Sequence, residues 1–199
     1  MSRRSAIAVA GFVVAAVFLW WLLFSVVPRW LGGGTPDAQP AAADGEAPTA
    51  ADPQRRITAT LFYVSEDGMA LVPAQREIPF AEPVVEQARQ VVLAQIAPPE
   101  PPLASAIPPG TSLRAIYLSD KGDLFVDFSA ELTSAHPGGA LEELFTAYSL
   151  VNALTVTLPA ITRVQILIDG KEVDTLAGHV DLRNPLSKNL AWVKSDNPS

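Results

Sequence analysis

A carboxylate pair and a histidine give this sequence the chemistry of a hydrolase. Asp127 and Glu131 lie four positions apart, and His179 follows much later in the chain. Two carboxylates can serve as general acid and general base, and a histidine can move a proton near neutral pH. One hypothesis is therefore a hydrolase, or a regulator of one, that uses Asp127, Glu131 and His179.

A Ser/His/Asp triad would be a second possible hydrolytic site, and Ser129, His179 and Asp181 are residues of the required types. No motif holds them together, since the sequence lacks a nucleophile elbow, an HExxH motif and a phosphate-cradling glycine loop. Turn chemistry at a strand end accounts for Asp127 and Ser129, and a structural hydrogen bond or an exposed position accounts for His179. We therefore expect no enzymatic activity.

The composition also argues against metals, cofactors and nucleic acid. The absence of cysteine excludes disulfides, thiolate metal sites and a cysteine nucleophile. Two histidines without supporting carboxylate spacing are a poor basis for a metal site. With 14 basic and 21 acidic residues, the chain is unsuited to neutralise phosphates. We expect no cofactor, no metal and no nucleic-acid partner.

The candidate residues of a ligand or partner surface are Asn152, Asp127, His179, Pro108 and Pro109. Asn152 is predicted on the inner side of a helix, where it either satisfies a neighbouring strand or loop end or anchors a ligand groove. Pro108 and Pro109 stiffen the start of a predicted hairpin.

An uncharged run, residues 6–27, precedes all of these candidate residues in the chain. As a helix it measures about 33 Å, close to the ~30 Å of a bilayer hydrocarbon core. Arg3 and Arg4 precede it, which places the N-terminus in the cytoplasm. We predict a cytoplasmic stub (1–5) and a transmembrane signal-anchor helix (6–27) in inner-membrane lipid. The alternative is a cleaved signal peptide, whose apolar core is usually shorter, about 7–15 residues.

Residues 28–54 form a predicted disordered Gly/Ala/Pro linker, and residues 195–199 a disordered tail. Between Gly32 and Pro53 there are four carboxylates, no base and no large apolar residue. Such a segment cannot bury enough surface to offset its ordering entropy. The chain beyond residue 30 carries a net charge of −10, which anionic lipid headgroups repel. We expect the following domain to be periplasmic or extracytoplasmic.

Residues 55–194 are predicted to fold as a single α+β domain, with a mainly antiparallel sheet packed by two helices. In the longer helix, Thr155 should bond the carbonyl of Val151, while Glu142, Thr146 and Ser149 should point outward. The helices are predicted at about 83–97 and 139–158, and the strands at 57–64, 71–78, 113–118, 124–128, 163–168, 171–176 and, as a short last strand, 179–182.

Several segments in a fixed order resemble the GerMN (sporulation and spore germination) domain family. No single segment is specific, but their succession is, and it covers essentially the whole folded part. The segments are LFYV from Leu61, DG from Asp67, LVP from Leu71, SAIPPGT from Ser105, LFVDFS from Leu124, VNALT from Val151, VQILIDGK from Val164 and LAGHVDL from Leu176.

The resemblance implies an extracytoplasmic module, since GerMN domains occur on membrane-anchored proteins and lipoproteins. Some are implicated in spore germination or in complexes assembled between membranes during sporulation, and others sit beside peptidoglycan-amidase or sensor-associated domains. This chain differs from the sporulation prototype in having one such domain and a predicted transmembrane anchor. We expect a binding or scaffolding module of the cell envelope that contacts an exported protein or peptidoglycan. Its candidate surfaces are the sheet edge at 71–78 and the proline-rich loop at 98–102.

Overall fold

The computed structural model describes residues 52–194. These residues form β1 (Asp52–Val64), β2 (Leu71–Phe80), α1 (Val84–Ile96), β3 (Leu113–Leu118), β4 (Asp123–Phe128), α2 (Glu131–Ser134), α3 (Ala140–Thr157), β5 (Arg163–Ile168), β6 (Lys171–Glu172) and β7 (Leu186–Ser187). The α+β class predicted from the sequence is confirmed.

The predicted anchor at 6–27, most of the predicted linker and the predicted tail lie outside the described residues. β1 begins at Asp52, within the last three residues assigned to the linker. None of the helices between residues 52 and 194 has the length and apolar character needed to cross a bilayer.

The strands form two sheets instead of the one predicted. β1 and β2 make an antiparallel ribbon, and β3, β4, β5 and β6 follow one another in a second sheet, with β7 also pairing with β5. β4 and β5 are parallel, because the chain between them includes α3 and returns to the same end of the sheet. The other pairs in the described part of the chain are antiparallel.

The end of the domain also differs from the prediction. The strand that follows the turn at Asp169–Gly170 is confined to β6, and 179–182 is not a strand. The backbone N–H of His179 donates to the Glu143 carboxylate, and that of Leu182 donates to the carbonyl of Asp174. These two N–H groups are therefore not available to pair with a neighbouring strand. β7 takes the edge of β5 instead.

α3 is buried around almost its whole circumference, because it packs against β1, α1 and β5. Thr146 and Ser149 are no more than 1% exposed, so the prediction that they point outward is wrong. Glu142 is exposed as predicted. The hydroxyl of Thr155 donates to the carbonyl of Val151 at 2.7 Å, also as predicted.

Side chains from two helices make hydrogen bonds to backbone groups at the outer edge of β1. Gln95 of α1 accepts from the N–H of Phe62 at 2.9 Å and donates to its carbonyl at 2.7 Å. Thr157 at the end of α3 accepts from the N–H of Thr60 at 3.1 Å. The helices thus replace a neighbouring strand, and β1 has no open edge at these positions.

We predict that Gln95→Leu lowers the free energy of unfolding by about 3 kcal/mol, because both backbone groups of Phe62 lose their partner in the core. Denaturant unfolding followed by circular dichroism measures this change. Gln90→Leu is the matched control, since Gln90 is half-buried on the same helix and its side chain makes no hydrogen bond within residues 52–194. Equal effects of the two substitutions would contradict the role of Gln95.

Candidate functional site

His179 lies beside the most deeply buried carboxylate of the described chain, that of Glu143 on α3. Glu143 has no exposed surface, whereas the side chain of His179 is 44% exposed. The carboxylate accepts from the backbone N–H of Leu176 at 2.7 Å and of His179 at 2.8 Å. The His179 Nδ1 lies 3.2 Å from it, which places a proton on Nδ1. Glu143 therefore fastens the loop at 176–180 to α3.

The loop also controls the charge of Glu143. Burial opposes the ionised form, but backbone N–H groups of Ala177, His179, Leu176 and Val180 favour it and together lower the pKa of Glu143 below its ordinary value of 4.5. Glu143 is therefore ionised at neutral pH, and its charge is spread over a ring of N–H donors.

Asp127 has its two carboxylate oxygens bonded to different elements. One oxygen accepts from the N–H of Gly170 at 2.7 Å, in the turn between β5 and β6. The other accepts from the Arg114 guanidinium at 3.2 Å, and Arg114 also pairs with Asp169 at 3.1 Å. Asp169 has a φ of 49°, and this ion pair supports that left-handed turn. Asp127 thus joins β3, β4 and the turn after β5.

Asn152 binds a loop end, the first of the two alternatives considered for it. Its amide nitrogen donates to the carbonyl of Asn189 at 2.7 Å, and its amide oxygen accepts from the N–H of Asn189 at 3.0 Å. Asn152 is fully buried, so both halves of its amide face the chain itself.

Pro108 and Pro109 belong to a tight turn before β3. Pro108 is buried and Pro109 is exposed. The carbonyl of Pro108 accepts from the Thr111 hydroxyl at 2.8 Å. The side chain of Glu131 lies beside Gly110 in this turn. A hydrogen bond from the Ser129 hydroxyl is the main cause that lowers the pKa of Glu131.

The structure does not bring the predicted catalytic groups together. Within residues 52–194, no hydrogen bond or ion pair joins any two of Asp127, Glu131 and His179. In the proposed Ser/His/Asp set, Asp181 pairs with Arg183 at 2.7 Å, and that bond lowers its pKa to about 2. His179 bonds Glu143 instead. No cluster of three or more His, Cys, Asp or Glu residues suited to a metal occurs in the described part.

Two clefts flank the turn between β1 and β2. One, of about 200 Å³, lies between this turn and the start of α3, and is lined by residues that include Val64, Gly68, Leu141 and Phe145. The other, of about 420 Å³, is lined by Ser65, Glu66, Asp67, Val72, Pro102, Leu103 and Lys194. Neither cleft includes a predicted site residue, although Val72 belongs to the predicted sheet-edge surface at 71–78 and Pro102 to the predicted proline-rich surface.

Glu143 was not among the residues predicted from the sequence, although the sequence carries a signal for it. Ala147, Leu150 and Leu154 follow it at spacings of four, seven and eleven residues, which share one side of a helix. A carboxylate in line with three apolar residues indicates a buried ion. Its neighbour Glu142 lacks this alignment and is exposed.

We predict that Glu143→Gln lowers the free energy of unfolding at pH 7 by about 3 kcal/mol, because an amide NH₂ then faces backbone N–H donors. The pKa of Glu143 is lower when folded, so its contribution is complete above 4.5 and is lost as the pH falls through the folded-state pKa. Denaturant unfolding across this range should show the two proteins converging in acid.

Glu142→Gln is the control for this prediction, because it removes the same charge from the same first helical turn on an exposed side chain. Its effect should stay within about 0.5 kcal/mol. A difference between wild type and Glu143→Gln that does not shrink in acid would contradict the proposed role of the ionised carboxylate.

Comparisons with known proteins agree with this fold. The family model for sporulation and spore germination, Germane, matches residues 60–174, more than half of the chain. No curated protein matches the chain.

Among solved structures, the tandem GerMN domains of the sporulation protein GerM from Bacillus subtilis match with a TM-score of 0.51 and 17% identity, over 67% of this chain and 46% of that one. The first GerMN domain of the same protein matches with a TM-score of 0.48 and 18% identity, over 67% and 96%. A candidate lipoprotein from Clostridium perfringens matches with a TM-score of 0.48 and 24% identity, over 70% and 92%. The tandem structure supports the fold, and the family match over residues 60–174 shows that this chain belongs to the Germane (GerMN) family of sporulation and spore germination domains.

Proposed function

We propose that this protein is a membrane-anchored, extracytoplasmic binding and scaffolding module of the bacterial cell envelope, which contacts another exported protein or peptidoglycan. Residues 6–27 anchor it in the inner membrane, and the linker holds the GerMN domain outside. The family membership and the apolar N-terminal run support this organisation.

The observation that carries the proposal is the structural use of the polar candidates. Asp127, Asn152 and the Glu143–His179 pair each bind a backbone group of a loop or turn. Their hydrogen-bonding groups thereby hold loops and turns in place, and no hydrogen bond or ion pair among the described residues joins them into a catalytic set. This arrangement favours a rigid recognition surface over hydrolysis.

The proposed topology predicts that alkaline phosphatase fused after residue 199 is active, because the enzyme requires export. Deletion of residues 1–30 should abolish that activity and move the protein to the soluble fraction. The intact chain should resist carbonate extraction from membranes. Release of a shortened protein into the soluble exported fraction would show a cleaved signal peptide and contradict the anchor.

The binding role predicts that residues 52–199 co-sediment with peptidoglycan or retain an exported protein in a pull-down. His179→Ala should keep this function, provided that circular dichroism shows a folded domain, because the residue does not act chemically. Failure of both binding assays, together with a hydrolytic activity that Asp127→Ala or His179→Ala removes, would replace the proposal with the hydrolase alternative.

A further inference from the structure

The larger sheet has one face packed in the core and an opposite face that is partly open. Along β4, Leu124, Val126 and Phe128 are fully buried. Because side chains alternate along a strand, Asp123, Phe125 and Asp127 lie on the other face. Phe125 is only half-buried there.

Tyr117 extends the apolar part of this face to the edge strand. It lies directly opposite Phe125 in the antiparallel pair β3–β4, so the two rings share the same face. Tyr117 is 61% exposed, and the backbone pairing fixes its position. We call Tyr117 and Phe125 the aromatic platform.

Ion pairs frame the aromatic platform at both ends. Asp123 binds the Arg163 guanidinium through two bonds of 2.7 and 2.8 Å, and Asp127 binds that of Arg114 at 3.2 Å. Each aspartate is two residues from Phe125, so the two aspartates lie about 13 Å apart along the strand. The platform is therefore a short apolar strip between two polar ends.

Both arginines have donors to spare. Arg163 binds Asp123 through Nε and Nη2, which leaves Nη1, and Arg114 uses Nε and Nη1, which leaves Nη2. Within the described residues, neither remaining nitrogen has a partner. The side chains of Arg163 and Arg114 are 46% and 49% exposed, so both arginines are accessible from solvent.

The charges and the size of this face restrict its occupant. Arg163 is paired with Asp123, and Arg114 with both Asp127 and Asp169, so neither arginine offers uncompensated positive charge to a phosphate. Two partly exposed aromatic rings offer at most about 300 Å² of apolar surface. A stable protein interface needs about 800 Å² from each partner. The complement is thus a small, neutral ligand with an apolar face and a polar rim.

A sugar ring has that chemistry. Its axial C–H groups form an apolar face that stacks on an aromatic ring, and its hydroxyl groups form a rim that accepts N–H bonds. An acetamido substituent adds a carbonyl acceptor for a guanidinium N–H and a methyl group for ring contact. Successive rings of an extended chain would lie along the strip between the two ion pairs.

We propose that the aromatic platform binds a neutral, N-acetylated polysaccharide strand, which in the cell envelope is the glycan of peptidoglycan. This inference rests on the extracytoplasmic location proposed above and specifies its peptidoglycan partner. Tyr117 and Phe125 stack on the sugar rings, and Arg114 and Arg163 bind their polar substituents. The clefts beside the β1–β2 turn take no part.

The test uses residues 52–199, because every buried apolar residue of the described chain lies between Ala59 and Leu182, so the fragment keeps the core that the structure describes. Its probe is the tetramer of N-acetylglucosamine, followed by amide chemical-shift perturbation. The perturbed amides should lie in β3 and β4. Tyr117→Ala should weaken binding about fivefold or more, whereas Tyr117→Phe should keep it, since stacking depends on the ring.

Met69→Ala is the matched control, because Met69 is an apolar side chain of similar exposure, 66%, in the turn that joins the two strands of the other sheet. It should leave tetramer binding unchanged. Co-sedimentation of the full chain in detergent with purified peptidoglycan should show the same order of variants.

Several results would overturn the assignment. The absence of a chemical shift change with the tetramer, or binding that Tyr117→Ala leaves intact, would contradict glycan binding at this face. In that case, a pull-down of an exported protein would still support the proposed function. Self-association in the ultracentrifuge that Tyr117→Ala abolishes would make the platform a contact between copies. Absence of both glycan and protein binding would contradict the proposed function as well.

Discussion

The burial of α3 on nearly all sides is the constraint on which the rest of this domain depends. A helix in contact with both sheets has no solvent-facing side for its polar residues, apart from its first turn. Each buried polar group must then find a partner in the protein, because an unpaired one costs about 1–3 kcal/mol. Glu143 and Asn152 meet this requirement by binding backbone groups of loops, and Thr155 by bonding its own helix.

These bonds explain how an irregular C-terminal segment is held in place. After β6 the chain makes two more short pairings in the described part, β7 with β5 and an isolated bridge between Val193 and Leu71. Glu143 fixes the loop at 176–180, and Asn152 fixes Asn189. The chain then reaches the other sheet, where the N–H of Leu71 donates to Trp192 and its carbonyl accepts from Lys194. The segment therefore links both sheets through the helix between them.

The sequence predicted elements well and their assembly less well, for a physical reason. Periodicity and turn residues define the bounds of α1, α3, β3, β4 and β5 within a few residues, because they depend on local structure. The second sheet, the parallel pairing of β4 with β5 and the burial of Thr146 depend on what packs on each face. An apolar stripe on α3 indicates one buried side and carries no information about a second.

The same distinction holds for the candidate site. The hydrogen bond from Thr155 to Val151 follows from helix geometry and was predictable. That Asn152 meets Asn189, and Asp127 meets Gly170, depends on loops distant in sequence. Glu143 could have been found by its alignment with apolar residues, but its ring of N–H donors is a property of the folded loop.

This use of polar groups also determines where the domain can recognise a partner. Side chains that hold loops in place are not available for ligands, so recognition falls to groups with free surface on rigid elements. The alternation along β4 that buries Val126 in the core necessarily turns Phe125 to the opposite face. The aromatic platform thus lies on the reverse face of the strands whose other side builds the core.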